Sequence, residues 1–296
     1  MITKADLDAL VESGCARTRH QGDLTLYRYT TKVFYNRPKW QVNKEALAEC
    51  RGHVFASNGD VVQMAPRKSW NYTENGHWAN VSDDTPVHIY KKINGFLACV
   101  TAYNGEWLIT TTGSFDSPFV EYAREILEPT LRTMKKYPGR TYYFEIVHPN
   151  DPHIIPTEIG SYFLGSRDHD TGHNYPVAYR FGQPCAPEVM TFGEAKALVQ
   201  AVQHEGFMVF RCEDQFCLDA CKLKSPWYIG KKILMRMTDS GWDKFVSDDR
   251  HILNRLDPRF HQFVHTHVKS SAWKVLMEQE RGDIIEAYFK LVDWNE

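Results

Sequence analysis

The sequence predicts an α+β fold in which antiparallel sheets with flanking helices are followed by a short all-α C-terminal tail. Three observations predict it. Between about residues 24 and 232, short β-branched and aromatic runs alternate with turn residues. Two of the turns contain Asn-Gly, at Asn58-Gly59 and Asn104-Gly105, the strongest short-range signal for a hairpin and therefore for antiparallel pairing. Beyond residue 232 the strand signal fades and apolar residues recur at helical spacing.

Taken in order, helical periodicity predicts a first helix over residues 4–13 and a second over 43–50. Strands are expected in "LTLYRYT", "HVFASNGDVVQM", "HIYKKINGFLACVTAYNGEWLITTT", "RTYYFEIV" and "FMVFRCEDQFCLDACKLK". A third helix is expected over 117–137. A fourth, over 191–204, has Thr191 as cap and Glu194 three residues later, the pattern of a capping box. The division falls near residue 235, giving a body over 1–235 and a small helical domain over 236–296. His261, His265 and His267 ride on that tail and read as ordinary helix-surface residues.

Composition narrows the function. With 43% hydrophobic and 24% charged residues the chain is of globular type, and no apolar run approaches the roughly 18 residues needed to cross a bilayer. The first fifteen residues are polar and amphipathic and carry no signal-peptide core. A formal net charge of −2 argues against a generally basic coat for nucleic acid but permits a local basic groove. Seven cysteines, an odd number, read as reduced thiols, so a cytoplasmic protein is expected, with a host cytoplasm if the chain is phage-encoded. Cys212, Cys217 and Cys221, with His169 and His173 upstream, leave a zinc site conceivable; lacking the C-x-x-C knuckle, they also fit as small apolar fillers.

The stretch "YKKINGFLACV", residues 90–100, reads as a buried strand yet holds two lysines and a glycine. Alternation sends Lys91 and Lys92 to opposite faces, so one of them points inward. A solvated edge lysine is the plain explanation. The functional one is a nucleophile: a neutral amine attacks phosphorus or carbonyl carbon, but a reference pKa of about 10.4 keeps it protonated at pH 7. Lowering that by about two units takes roughly 3 kcal/mol of desolvation or neighbouring positive charge. Such a lysine needs cations around it, metal included, and acids to hold the metal.

Candidates for that company are spread along the chain. Upstream are Arg51-Gly52 in "ECRGHVF" and Lys68 and Trp70 in "APRKSWNYTE". Downstream are Gly113-Ser114 in "TTTGSF", Glu145 in "TYYFEIVHP", Arg167 in "YFLGSRD" and Glu205-Gly206 in "EGFMVF". "KLKSPWYIGKK" adds Lys222, Lys224 and Tyr228. Together with Lys92 and Gly95 of "KING", these resemble, in order and spacing, the motifs of the covalent nucleotidyltransferase superfamily, which includes polynucleotide ligases and mRNA capping enzymes. The Arg-Gly block, the Lys68 block and the "LKSPWY" ending most resemble the phage RNA ligase 1 branch, the T4-type ATP-dependent RNA ligase. The resemblance covers about residues 45–232.

The resemblance implies a nucleotidyltransferase (ligase adenylation) fold, with an adenylyltransferase domain over 1–235. It implies an RNA-repair activity using ATP and Mg²⁺, with Mn²⁺ as a substitute. The partner would be RNA bearing 5′-phosphate and 3′-OH ends, tRNA among the candidates. Lys92 would attack the α-phosphate of ATP. Lys222 and Lys224, on one face of a strand by alternation, would hold its oxygens. Arg51 offers a planar fork for phosphate or ribose oxygens, and Lys68 a point charge associated in the family with the triphosphate. Glu145 and Glu205 would bind metal, its waters or ribose hydroxyls. Gly95 and Gly113 would let the backbone approach the nucleotide. Trp70, Tyr162, Phe163 and Tyr228 are candidates for packing on adenine or aligning a lysine.

Two positions depart from the family pattern. Asn94 stands where an acid usually precedes the glycine, and Thr112 where close relatives are basic. Other readings of the same residues are a catalytically inert nucleotide- or RNA-binding module on this fold, a guanylyltransferase, or a DNA ligase. The last two would be expected to carry an oligonucleotide-binding barrel after "LKSPWYIGKK", where the sequence looks helical.

Overall fold

The computed structural model describes residues 1–176, 188–213, 216–248, 250–292 and 294, and only the main chain at 176, 212, 213, 216–218 and 251. Among the described residues three sheets carry the fold. The first has the order β1-β2-β3-β4, from β1 (Ala16–Gln21), β2 (Leu24–Tyr29), β3 (Arg51–Ala56) and β4 (Val61–Gln63). Helix α1 (Lys4–Glu12) precedes it, and α2 (Thr31–Phe34), α3 (Arg37–Val42) and α4 (Lys44–Glu49) lie between β2 and β3. The chain then runs through β5 (Trp70–Asn71), β6 (Pro86–Lys91), β7 (Phe96–Tyr103), β8 (Glu106–Thr111), α5 (Pro118–Thr133), β9 (Arg140–Val147), β10 (Gly160–Asp168) and β11 (Asn174–Pro176). After it come β12 (Glu188–Thr191), α6 (Phe192–Ala201), β13 (Gly206–Glu213) and β14 (Phe216–Lys224). Two five-stranded sheets result, one ordered β11-β10-β9-β7-β8 and the other β12-β6-β13-β14-β5.

Side-chain alternation gives each five-stranded sheet two distinct faces. On β9, Tyr142, Phe144 and Ile146 pack outward with Val120, Ala123 and Leu127 of α5. On β6, β13 and β14, Val87, Ile89, Phe207, Val209, Cys221 and Leu223 pack under Phe192, Ala195 and Val199 of α6. Burying each such leucine or phenylalanine stabilises the fold by roughly 1.5–3 kcal/mol, so these outer layers hold the sheets. The residues between them, Tyr90, Leu97, Tyr143, Glu145, Met208, Phe210 and Lys222, face a cleft between the two sheets.

The expected hairpin at Asn104-Gly105 is present: Tyr103 pairs with Glu106, and both turn residues have positive φ, 49° and 79°. Thr191 and Glu194 form the expected capping box at the start of α6. Two expectations are corrected. Antiparallel pairing is not universal, since β5 pairs with β14 in parallel, setting Trp70 beside Cys221 and Asn71 beside Lys222. And "YKKINGFLACV" is not one strand. β6 ends at Lys91, the Lys92 N–H makes a last ladder bond to the Gly206 carbonyl at 2.8 Å, and residues 92–95 cross to the other sheet, where β7 begins.

After β14 the described residues form no strand. Helix α7 (Pro226–Met235), capped by Ser225, leads to α8 (Asp239–Ser247), α9 (Arg250–Leu253), α10 (His261–Phe263), a π-helical turn over Val264–Val268, α11 (Ser271–Val275) and α12 (Glu278–Leu291). Their core gathers Phe245, Phe260, Phe263, Trp273 and Phe289 with Trp227 and Tyr228. Helix α7 thus packs with the tail that the sequence reading began after residue 235. Of the three histidines, His267 lies against the rings of Phe263 and Tyr288 at 4.9 and 5.5 Å.

Candidate active site

The 92–95 crossing places Lys92 at the floor of the cleft, which has a volume of about 820 Å³. Lys92 continues the face of His88 and Tyr90 and is only 18% exposed, with Nζ 3.1 Å from Glu205 Oε2 and 3.3 Å from the Ile93 carbonyl. Gly95 is required there. A Cβ would meet the Ile146 carbonyl oxygen at 2.2 Å, and the Gly95 N–H donates to Glu145 Oε1 at 3.2 Å. Its need is thus close approach to a neighbouring strand. Gly206, with φ +117° and Leu223 O only 2.0 Å from a built Cβ, fixes the turn that aims Glu205 at Lys92.

Glu205 is the hub. It is 3% exposed; Oε2 takes the Lys92 contact and a 2.7 Å bond from Asn94 Nδ2, while Oε1 lies 3.5 Å from Lys224 Nζ. Asn94 also accepts the Ile155 N–H on Oδ1 at 3.1 Å. An ionised aspartate could accept that bond but not donate to Glu205. Asparagine at this position therefore has a local physical reason: this glutamate is met by an amide donor as well as two cations.

Burial pushes the Glu145 carboxyl up, opposed by Lys92 and reinforced by Glu205. Burial also drives Lys222 well below the ordinary lysine range, with Arg51, Lys68, Lys92 and Lys224 adding to the effect. Lys224 is lowered for the same first reason, against the attraction of Glu205. Lys68 is pushed down to about 8 by burial and by Arg51, against Glu74. Its Nζ sits over the rings of Trp70 and Phe34 at 4.7 and 5.0 Å, and those rings stack 5.8 Å apart. The cleft therefore crowds several cations with few anions, an arrangement that an incoming polyanion relieves.

The remaining expected residues divide. Arg51, Trp70 and Phe163 line the cleft. Tyr228 does not: its buried ring lies under Lys224 Nζ at 4.8 Å, and burial raises its hydroxyl to about 12, so it aligns a lysine. Tyr162 is turned away and donates to the Glu158 carbonyl. Gly113 lies off the cleft wall, where a Cβ would run into the Arg28 guanidinium at 2.4 Å, so its close approach is to a side chain of β2. Thr112 packs its backbone on Gly52.

One pairing escaped sequence reasoning, that of Arg167 with Glu49. Arg167 is a buried clamp, donating to both Glu49 oxygens at 2.6 and 3.0 Å and to the Ala65 and Gly172 carbonyls. Burial works against Glu49, but Arg167, His53 and Arg67 hold its carboxyl below the ordinary range. Glu49 ends the helix immediately before Arg51, so this pair anchors the start of β3. The sequence had marked Arg167 but not its partner, an acid two residues before Arg51.

A divalent metal fits one position better than two. Glu205 is engaged by Lys92, Asn94 and Lys224, whereas Glu145 gives one oxygen to the Gly95 N–H and its other oxygen meets no donor among the described residues. A hard carboxylate oxygen at the wall of the cleft suits Mg²⁺, which binds through one or two carboxylates plus substrate oxygens. Among the described residues no three His, Cys, Asp or Glu cluster as a metal site. Cys221 is a buried free thiol, and the Cys212 and Cys217 side chains of the zinc alternative lie outside the described residues.

No protein-family model matches the chain, and no curated protein does. Solved structures do. An archaeal ATP-dependent RNA ligase superposes in two forms. Form 1 has a TM-score of 0.57 at 15% identity, over 96% of this chain and 79% of that one. Form 2 has a TM-score of 0.56 at 15% identity, over 97% and 77%. At such identity the likeness is one of fold: the mixed α/β chain with its antiparallel sheets shares the fold of that ligase.

Proposed function

We propose that this protein is an ATP-dependent RNA ligase that works through a lysyl-AMP intermediate on Lys92. The observation that carries the reading is the 3.1 Å contact of Lys92 Nζ with Glu205 in a cleft lined by Arg51, Lys68 and Lys222. A ligase-type function also agrees with the archaeal neighbour's being an ATP-dependent RNA ligase.

Each step is an in-line displacement at phosphorus. Lys92 gives up a proton, with Glu205 in hydrogen-bonding reach, and Nζ bonds to the α-phosphorus as the bond to the bridging oxygen breaks and pyrophosphate leaves. A 5′-phosphate oxygen of RNA then bonds to that phosphorus. The P–N bond breaks and its electron pair returns to Nζ, which takes up a proton. Finally a 3′-hydroxyl, losing its proton, attacks the activated 5′-phosphate and AMP departs. Lys222 and Lys224 share a face of β14 and serve the α-phosphate oxygens. Arg51 and Lys68 serve the outer phosphates, and Asn94 and Tyr228 orient Glu205 and Lys224. Mg²⁺, held by Glu145, would supply charge neutralisation at the phosphates.

Incubating the protein with α-labelled ATP and Mg²⁺ should leave label covalently attached, and Lys92→Ala should abolish it. α-Labelled GTP should give far less, and the labelled protein should join RNA ends in preference to DNA ends. ATP binding without any covalent label would instead support an inert binding module. Preferred GTP labelling would support a guanylyltransferase.

A further inference from the structure

The mouth of the cleft carries a surface that the core does not need. Residues 28–44 hold five cations, Arg28, Lys32, Arg37, Lys39 and Lys44, and no acid, in a chain of net charge −2. Four of them, Lys32, Arg37, Lys39 and Lys44, are exposed. Among them Tyr35 stands 78% exposed, edge to face with Phe34 at 5.0 Å. Phe34 in turn stacks on Trp70, which lines the cleft, and Lys68 lies over both rings. Arg37 Nε donates to Asn75 Oδ1 at 2.7 Å, and Asn75 and Lys44 also line the cleft. The exposed tyrosine is thus one ring removed from the cationic end of the cleft.

We propose that this ledge receives the first unpaired nucleotides of the RNA strand that brings the 5′-phosphate. The inference rests on the ligase reading. An exposed aromatic ring interleaved with cations suits a single strand, whose bases stack on the ring while its phosphates meet the charges. Stereochemistry selects which strand. Pyrophosphate departs from the α-phosphorus on the side opposite Nζ. In the next displacement Nζ is the leaving group, so the attacking 5′-phosphate oxygen enters on that same side. There the new P–O bond forms as the P–N bond breaks, and the amine leaves with its electron pair and takes up a proton. Arg51, Lys68, Lys92 and Lys222 line one cleft, and Lys68, which serves the outer phosphates in the ligase reading, lies over Phe34 and Trp70. Phe34 meets Tyr35, so the ledge adjoins the place that pyrophosphate vacates for the strand lying on it.

Lys32, Tyr35 and Lys39 are outside the cleft wall, which makes them separable from nucleotide binding. The test uses Tyr35→Ala, Tyr35→Phe, the double variant Lys32→Ser/Lys39→Ser, and a distant control, Lys244→Ser/Lys290→Ser. The probe is a 5′-phosphorylated oligouridylate of about twelve nucleotides. Its binding is followed by fluorescence anisotropy at several salt concentrations, and AMP transfer to it from prelabelled protein by single turnover. Self-labelling with ATP should match wild type in all four. Tyr35→Ala should weaken oligonucleotide binding about tenfold and Tyr35→Phe should restore it. The double serine variant should reduce the slope of log K against log salt by about 1.4, two phosphate contacts at about 0.7 each. Transfer should need correspondingly more oligonucleotide in both. Unchanged affinity, slope and transfer in Tyr35→Ala and the double variant, or an equal loss in the control, would overturn the proposal while leaving self-labelling intact. A wild-type protein that takes no label from ATP would overturn the ligase reading instead, with the anisotropy arm still reporting on the ledge.

Discussion

Replacing Lys68 with methionine isolates the electrostatic crowding of the cleft. Methionine keeps an apolar side chain between Phe34 and Trp70 and removes the charge. Displacing the lysine from 10.5 to about 8 corresponds to roughly 3 kcal/mol of destabilisation in the unliganded fold. The sign follows from proton binding. Below pH 8 both folded and unfolded chains hold the proton, but the unfolded chain holds it more tightly, so the full cost is present. Between pH 8 and 10.5 the folded chain releases the proton first and the cost disappears. Against this, the variant loses the cation–π contacts with the two rings, worth about 0.5–2 kcal/mol. The net expectation is a protein more stable than wild type by roughly 1–2.5 kcal/mol at pH 7, with the advantage gone above pH 10.5. Urea unfolding at pH 7 and at higher pH measures it. Saturating ATP should reverse the order, because a triphosphate at about a hundred times its dissociation constant adds about 2.7 kcal/mol to wild type and less to the variant. A variant less stable than wild type at pH 7, or one stabilised by ATP as strongly as wild type, would refute the reasoning.

Other expectations follow from the same geometry. Asn94→Ala leaves Glu205 without its amide donor, so stability should fall by about 1.5–3 kcal/mol in urea unfolding, and self-labelling should slow with little change in the ATP concentration needed. Equal labelling rates would remove Asn94 from the site. Glu145→Gln should make the unliganded protein more stable at neutral pH. The folded carboxyl is raised above its unfolded value, so the cost of the carboxyl grows as pH rises past the ordinary carboxylate range and is complete above the folded value, and the gain should fade as pH drops back into the ordinary range. The same variant should label poorly at any Mg²⁺ concentration. Arg167→Met strands Glu49 with weaker partners and should cost about 3–5 kcal/mol, read as a lowered midpoint in thermal unfolding.

The sequence made the inward lysine legible because alternation along β6 continues through Lys92, and it made the lysine pair legible because Lys222 and Lys224 share a face of β14. What alternation could not register is a change of sheet. The 92–95 crossing looks apolar and strand-like, and only the approach of Gly95 to Ile146 explains its glycine. Long-range partners were equally hidden: Glu49 and Arg167 are 118 residues apart, and although Arg167 stood among the motif residues, nothing near it in the chain points to Glu49. Asn94 looked like a loss because its role depends on Glu205 and Ile155, both distant in the chain. Tyr228 belonged to a recognised motif, yet whether it packed on base or lysine depended on the turn at Ser225 that opens α7. The two-residue strand β5, which seats Trp70 beside β14, is too short for any periodicity to reveal.

The central claim concerns one nitrogen atom. After incubation with ATP and Mg²⁺ at neutral pH, followed by digestion under conditions that spare phosphoramidates, mass spectrometry should find a single adenylyl group on the peptide containing Lys92, removed by adding pyrophosphate. An adenylyl group on Lys222, Lys224 or any other residue, with the Lys92 peptide unmodified, would contradict the account.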